Sequence, residues 1–323
     1  MGKTLTLPQD SALPALGRLL AVGLAAVLPA LGIDNDGSRS LNPEERRYEL
    51  RLRAHKPGRH ATLEARTPKR HLAVLVYAKR PELEVELYPA LAGEGLTGRS
   101  GARVPGLLAW DPDLRVLALE WLEGPTVSDL LKRGEGERAG ALAAAWIERA
   151  ASISIPLGKR YDGGRLLEHA DKWTSALAEA GPDLGAAAAQ LTDRLRRTAP
   201  RGGTCRLVHG AFHDRNIVDL GDGPGVIDWH QFGQGPAEIE GGMFLASLSR
   251  AAMKKGRAAE AERAEAVFLE RTGPLLDRRS LAWHRAAALL SRTRRMLTHR
   301  RGDWDDRARD LLEKADSIAG GAA

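Results

Sequence analysis

The sequence predicts an α+β fold of two lobes, with a small antiparallel-sheet N-terminal lobe and a larger, mainly helical C-terminal lobe. Three observations carry that reading. Residues 48–79 and 107–121 hold short alternating or apolar runs separated by turn residues. From Ser128 onward the composition shifts to Ala, Leu, Arg and Glu at helical spacing. The chain has 323 residues, more than one small domain needs. A boundary near residue 123 then divides a lobe of residues 1–123 from one of residues 124–323.

Taken in order, the apolar stretch Leu19 to Leu31 comes first. A bilayer helix needs about 20 apolar residues. This run is shorter, follows Arg18, contains Pro29 and has no basic n-region ahead of it, so it reads as a buried or capping helix over residues 11–31. Tyr48 to Arg53 alternates with period two, Lys56-Pro57-Gly58-Arg59 supplies a turn, and Ala61 to Arg66 returns as the hairpin partner. Leu72 to Tyr77 is a continuous apolar run, as expected of a central strand covered on both faces, and it ends at Lys79. Pro81 opens a helix through Leu91, which the interior Pro89 is expected to shorten. Leu107 to Trp110 and Val116 to Trp121 form a second strand pair around Asp111-Pro112-Asp113. Helices follow over Ala139 to Ala151, Leu166 to Ala180 and Gly185 to Arg197, interrupted later by strand islands at Arg206–Val208 with Ile217–Asp219, and at Val226-Ile227.

Composition narrows the function classes. Hydrophobic residues at 43% and charged residues at 28% exclude a mainly disordered chain. The single Cys205 excludes an intramolecular disulfide and a thiolate zinc site, which fits a reducing compartment and makes the cytoplasm the default. The balance of 48 Lys and Arg against 42 Asp and Glu leaves a net charge of +6. No zinc-finger spacing or aromatic platform accompanies that charge, so nucleic acid is set aside as a partner.

The chemistry concentrates in His209-Gly210-Ala211-Phe212-His213-Asp214-Arg215-Asn216-Ile217-Val218 and in Val226-Ile227-Asp228-Trp229. Strand, polar loop, strand, turn, strand, Asp is its grammar. Such a loop over 209–216 and segment over 226–229 can present Asn216 and Asp228 together. An amide oxygen and a carboxylate are hard ligands suited to Mg²⁺ carrying substrate phosphates. Asp228 inside an apolar strand would need a compensating partner. A zinc pair from His209 and His213, four apart, is disfavoured because Gly210 and the β-branched run after Asn216 argue for a loop rather than a helix.

These residues resemble the aminoglycoside phosphotransferase-like family, which shares the protein-kinase fold and reads His-Gly-Asp-x-x-x-x-Asn followed by Ile-Asp-Trp or Ile-Asp-Phe. His209, Gly210, Asn216, Ile227, Asp228 and Trp229 match. The resemblance extends to Gly235-Pro236-Ala237-Glu238-Ile239-Glu240, with Glu240 where the family has a structural Asp, and to Leu119-Glu120-Trp121-Leu122-Glu123-Gly124-Pro125. It implies a protein-kinase-like fold, ATP and Mg²⁺ as cofactors, and transfer of a phosphoryl group to a hydroxyl of a small-molecule acceptor. It further implies Asn216 and Asp228 as metal ligands, and Lys79, Glu84 and Glu120 as nucleotide-site residues, with Lys79 on phosphate and Glu84 or Glu86 as its partner. Lys56 and Arg59 are alternative phosphate contacts in a turn that lacks a Gly-x-Gly-x-x-Gly loop.

One departure stands out: the family's catalytic Asp corresponds to Ala211, which accepts no proton. A general base contributes about 10² to 10⁴ in rate, and phosphoryl transfer depends mainly on alignment and charge neutralisation. The readings are therefore an enzyme in which Asp214 or His213 substitutes for the base, a pseudokinase that binds nucleotide or acts as a scaffold, or an Asp-to-Ala change that silences an enzyme. His209 is expected to serve the loop structurally, and Glu238 and Glu240 to cap a helix near Gly241. The C-terminal Arg285, Arg292, Arg294, Arg295, Arg300 and Arg301 read first as a solvated face. Where they line an acceptor site, they suit an anionic or neutral acceptor better than a polycation.

Overall fold

The computed structural model of the chain describes residues 9–29, 48–300 and 302–321. The chain forms two compact units. One takes in the residues up to Arg99 together with Val104–Leu122, and the other Ser100–Arg103 together with Glu123 onward.

The first unit is built on five antiparallel strands: β1 (Glu49–Lys56), β2 (His60–Arg66), β3 (His71–Tyr77), β4 (Leu107–Asp111) and β5 (Val116–Glu120), in the spatial order β1-β2-β3-β5-β4. The apolar run of β3 lies at the centre, as its lack of polar alternation requires. Leu72, Val74 and Val76 join one core with Ala61, Leu63, Ala65, Val116 and Ala118. Two short helices, α1 (Pro14–Val22) and α2 (Leu24–Val27), contribute Leu16, Leu19, Leu24 and Val27 to that same core. Burying each such side chain contributes about 1.5–3 kcal/mol. The single helix expected over 11–31 is thus two helices interrupted at Gly23, whose φ of 79° belongs to the left-handed region. Residues 30 and 31 lie outside the described residues.

Side chains alternate across a strand, so Leu75 and Tyr77 of β3 point to the opposite face. There Tyr77 Oη donates to Glu84 Oε1 at 2.8 Å, which fixes α3 (Glu82–Gly93) against the sheet. The helix runs through Pro89 to Gly93 rather than ending early. The β1–β2 turn is tied down by Asp10, whose carboxylate accepts from Gly58 N–H at 2.9 Å and contacts His55 Nε2 at 3.0 Å.

The second unit runs through α4 (Val127–Arg133), α5 (Gly136–Ala150), β6 (Lys159–Arg160), α6 (Gly163–Ala180), α7 (Pro182–Arg197), β7 (Arg206–Val208), β8 (Ile217–Asp219), β9 (Pro224–Val226), β10 (Gly233–Gly235), α8 (Glu238–Ala252), α9 (Ala258–Thr272), α10 (Arg278–Met296) and α11 (Trp304–Gly321). Trp283, Leu289 and Leu290 of α10 pack with Leu177, Leu191, Leu195, Leu311 and Leu312 in a core of its own. The strand islands pair differently from the expectation. β8 joins β9 in a hairpin, whereas β7 pairs with β10, a strand of Gly-Gln-Gly that carries no apolar pattern. Among the described residues, no helix is long and apolar enough to cross a membrane.

Candidate functional site

β7 delivers the chain to His209 and β8 takes it up at Ile217, so loop 209–216 is clamped at both ends. Its backbone has a buried anchor. Glu240, 3% exposed in the first turn of α8, accepts from the N–H of His209 at 3.0 Å and of Gly210 at 3.1 Å. Burial raises this carboxyl to about 7 against the pull of those two bonds. Glu240 therefore holds the loop instead of capping α8, while Glu238 accepts from Asp277 N–H at 2.9 Å.

His209 is buried and its protonation pattern is set by its neighbours. Nδ1 accepts from Ala211 N–H at 3.2 Å, which leaves Nε2 to donate to the Ile227 carbonyl at 2.9 Å. Burial lowers it to about 4, so it is neutral near pH 7 and structural. With both nitrogens engaged by backbone it supplies no metal ligand, and among the described residues no group of three His, Cys, Asp or Glu side chains is arranged to hold a metal ion.

Register sets the two candidate ligands at the same end of one hairpin. In the β8–β9 hairpin Ile217 faces Val226, and the next step of the ladder joins Ile227 N–H to the Asn216 carbonyl at 3.0 Å. Asn216 and Asp228 thus emerge at the same end of one hairpin. Asn216 is 6% exposed and its Nδ2 donates to the Ala211 carbonyl at 3.1 Å, so Oδ1 is the atom it offers to a cation. Asp228 is not inside a strand as expected. It lies just beyond β9 with φ of 73° and its side chain 47% exposed, and Oδ1 is 2.6 Å from His230 Nδ1. A non-glycine residue at positive φ is uncommon, and Asp is among the few types that tolerate it.

The two residues considered as replacement bases sit in different surroundings. Asp214 is turned inward: it is 1% exposed, its carboxylate meets Arg250 Nη2 at 3.2 and 3.3 Å, and its N–H donates to Ser247 Oγ at 3.1 Å. A carboxylate buried in an ion pair is not presented to an acceptor. His213 accepts at Nδ1 from Arg215 N–H at 3.3 Å, which places its proton on Nε2. Burial, aided by Arg292, lowers it to about 4. In that tautomer Nε2 donates a hydrogen bond and does not take a proton.

In the first unit, Lys79 is exposed past the end of β3, and Glu84 is 5% exposed and accepts from Tyr77 Oη at 2.8 Å. The junction of β3 and α3 thus carries a phenol bonded to a buried carboxylate. Tyr77 escaped the sequence reading because an apolar run does not show which of its members faces the helix. Glu120 is the exposed last residue of β5, its N–H bonded to the Gly106 carbonyl at 2.8 Å. Lys56 and Arg59 are exposed in the β1–β2 turn.

Residues 26–289 match the model of the phosphotransferase enzyme family. No curated protein sequence matches the chain. Among solved structures, the apo form of a thermostable mutant of the aminoglycoside phosphotransferase APH(4)-Ia is similar with a TM-score of 0.61 and 17% identity, over 85% of this chain and 95% of that one. Choline kinase from Cryptosporidium parvum Iowa II is similar with a TM-score of 0.58 and 10% identity, over 90% and 93% of the two chains. The spectinomycin phosphotransferase APH(9)-Ia, in complex with ADP and spectinomycin, gives 0.57 and 14%, over 85% and 92%. At these identities the likeness is one of fold, and it is the protein-kinase-like fold expected from the sequence.

Proposed function

The chain belongs to the phosphotransferase enzyme family, and on that premise we propose that it is an ATP- and Mg²⁺-dependent phosphotransferase acting on a hydroxyl of a small molecule. The observation that carries the proposal is the placement of Asn216 and Asp228 at one end of the β8–β9 hairpin by its backbone register. Their donor set fits a hard divalent cation: an amide whose nitrogen is already bonded, and a carboxylate with nearly half its surface open. Mg²⁺ bound there would neutralise charge on the phosphate oxygens of ATP. The solved structures with ADP and spectinomycin in APH(9)-Ia, and with ADP and hygromycin B in an Asp-to-Ala variant of APH(4)-Ia, support nucleotide and small-molecule binding by this fold.

The remaining roles follow from proton positions. Glu240 and the Asn216 amide hold loop 209–216 in shape. The Nε2–H of His213 is suited to donate to a phosphoryl oxygen. Ala211 offers no base, so the acceptor hydroxyl would lose its proton to water or to the phosphoryl oxygens, with positioning supplying the acceleration. A second reading, a nucleotide-binding pseudokinase, draws on Ala211 and on the Tyr77–Glu84 pair where a phosphate-binding lysine was expected.

Thermal unfolding with ATP tests the common core. ATP at a hundredfold over its dissociation constant adds about 2.7 kcal/mol to the stability of whatever it binds. The stabilisation is expected to need Mg²⁺ and to vanish in Asp228→Asn, which keeps tolerance of positive φ while removing charge. The absence of any nucleotide effect overturns both readings. Turnover then separates them: Ala211→Asp is expected to raise ATP hydrolysis by about 10² to 10⁴ over a measurable starting rate, and zero turnover in both forms with nucleotide bound favours the pseudokinase.

A further inference from the structure

The helix behind the catalytic-type loop presents one stripe to it. Met243, Ser247, Arg250 and Lys254 follow one another at spacings of four, three and four along α8 and just beyond it, the spacing of a single helical face. Ser247 holds the N–H of Asp214, Arg250 holds its carboxylate, and the Met243 carbonyl accepts from Arg292 Nη2 of α10 at 3.3 Å. Arg292 interacts electrostatically with Arg250, Asp214, Arg295 and Arg215, and Lys254 with Arg250, Arg257, Arg215 and Asp214. Six cations therefore form one electrostatic network beside His213, and three of them, Arg250, Lys254 and Arg292, act on the carboxylate of Asp214.

That imbalance is not relieved by carboxylates among the described residues. Asp214 is already engaged by Arg250, and among the described residues Arg215, Lys254, Arg257 and Arg295 form no ion pair. Nη1 of Arg257 is sealed from solvent and has no hydrogen-bond acceptor among the described residues. An isolated buried guanidinium nitrogen without an acceptor is unfavourable, and an anion would supply the acceptor that Arg257 Nη1 lacks. Burial and the mutual repulsion of these groups depress Lys254, and Arg292 to about 10.

We propose that Arg250, Lys254, Arg257 and Arg292, flanked by Arg215 and Arg295, bind a phosphate group carried by the acceptor itself, so that the molecule phosphorylated is already a phosphomonoester. The proposal rests on the phosphotransferase reading. Guanidinium forks match phosphate in pairs, and a dianion answers the excess of positive charge better than a single carboxylate. A polycationic acceptor would be repelled. No bond to this phosphate forms or breaks, because it anchors the acceptor while the hydroxyl reacts.

The test uses the full chain with a non-hydrolysable ATP analogue and Mg²⁺ held at saturation, so that the nucleotide site is filled, and titrates inorganic phosphate against sodium acetate and sodium chloride at matched ionic strength. Calorimetry is expected to show saturable phosphate binding in the ternary state, weakened about tenfold or more in Arg292→Met and in Arg257→Gln and unchanged in Arg279→Gln, which lies in α10 away from the cluster. Circular dichroism of each variant separates lost binding from lost fold, and Lys254→Gln, partly exposed, provides a milder second variant. With hydroxyl compounds offered in free and phosphorylated forms to Ala211→Asp, ADP release is expected only from the phosphorylated member. The inference is overturned if phosphate binds no better than acetate or chloride, if the analogue displaces it, which would assign the cluster to the nucleotide, or if only a polyanion such as duplex DNA binds. Failure of the ATP analogue to bind sinks the phosphotransferase reading, whereas analogue binding without phosphate binding sinks this inference alone.

Discussion

Glu240 links the geometry of the loop to the pH response of the chain. It is an acid whose folded pKa, about 7, lies above the ordinary carboxyl value of 4.5 because it is buried. Between those values the folded state keeps a proton that the unfolded state has lost, so stability falls as pH rises from about 4.5 to about 7, by about 3 kcal/mol. Glu240→Gln is expected to flatten that part of a urea-unfolding series against pH, and an unchanged slope would contradict the assignment. His284 acts with the opposite sign. Burial lowers it from 6.5 to about 4, so it contributes stability that is complete above pH 6.5 and lost as pH falls towards 4. His284→Phe is expected to lessen the acid-side loss in the same series. Gly210 completes the residue picture: φ is 72°, and an added Cβ would stand 2.2 Å from the Gln231 carbonyl oxygen and 2.7 Å from Tyr161 Oη. Gly210→Ala should destabilise by more than about 1 kcal/mol and weaken Mg²⁺-dependent ATP binding, which a combined melting and binding measurement reads directly.

Helix α4 shows how an element positions the site. It opens with a capping box in which Thr126 Oγ1 accepts from Asp129 N–H while the Asp129 carboxylate reaches back to Thr126 N–H. Two residues into the helix, Ser128 N–H donates to the Asp214 carbonyl at 2.6 Å, so the helix start grips the catalytic-type loop. Thr126→Ala is expected to lower stability by about 1 kcal/mol and to speed proteolysis within residues 209–216; an unaltered cleavage pattern would separate cap from loop. Elements of this kind differ in how far a sequence shows them. The alternation of Tyr48 to Arg66 and the apolar run of Leu72 to Tyr77 encode burial on one face or two, and β1, β2 and β3 were legible for that reason. β10 was not, because Gly233-Gln234-Gly235 has backbone pairing without a side-chain pattern. The sequence singled out Asn216 and Asp228, twelve positions apart, as candidate oxygen ligands, but the positive φ that places Asp228 beyond its strand is a property of the assembled hairpin. Glu240 looked like a cap, since nothing local reveals the two N–H groups brought to it from thirty-one and thirty positions away. Of the cationic cluster, Arg292 and Arg295 stood out in an arginine-rich helix, whereas Arg250, Lys254 and Arg257 became relevant only through the packing of α8 on α10.

At the scale of the whole molecule the chain is not partitioned by a single cut. Residues 100–103 belong to the second unit although the residues on either side of them belong to the first. The reason is visible in the hairpin that bears Asp228. Arg103 bridges Gly225 in parallel, the Arg103 carbonyl accepts from Val226 N–H at 2.9 Å, Arg103 pairs with Asp222, and Asp222 also accepts from Gly101 N–H at 3.2 Å. The approach is close enough that a Cβ on Gly223 would stand 2.5 Å from Gly101 backbone. The strand that ends two residues before Asp228 is thus paired on its outer side by a distant segment. The Asp222 side chain is 44% exposed, so its removal should change global stability by less than about 1 kcal/mol. Its local effect should be larger, because opening of a strand edge is governed by local contacts rather than by global unfolding. Asp222→Ala is therefore expected to leave the melting transition nearly in place while hydrogen exchange at Val226 N–H accelerates, with exchange at Ile227 N–H, which bonds within the hairpin to Asn216, changing less. Saturating Mg²⁺ and ATP should slow Val226 exchange again, since a ligand that binds the ordered hairpin shifts the opening equilibrium towards it. Exchange at Val226 unaffected by the substitution would mean that the hairpin orders itself without residues 100–103, and the coupling between that segment and the Asp228 site would be lost with it.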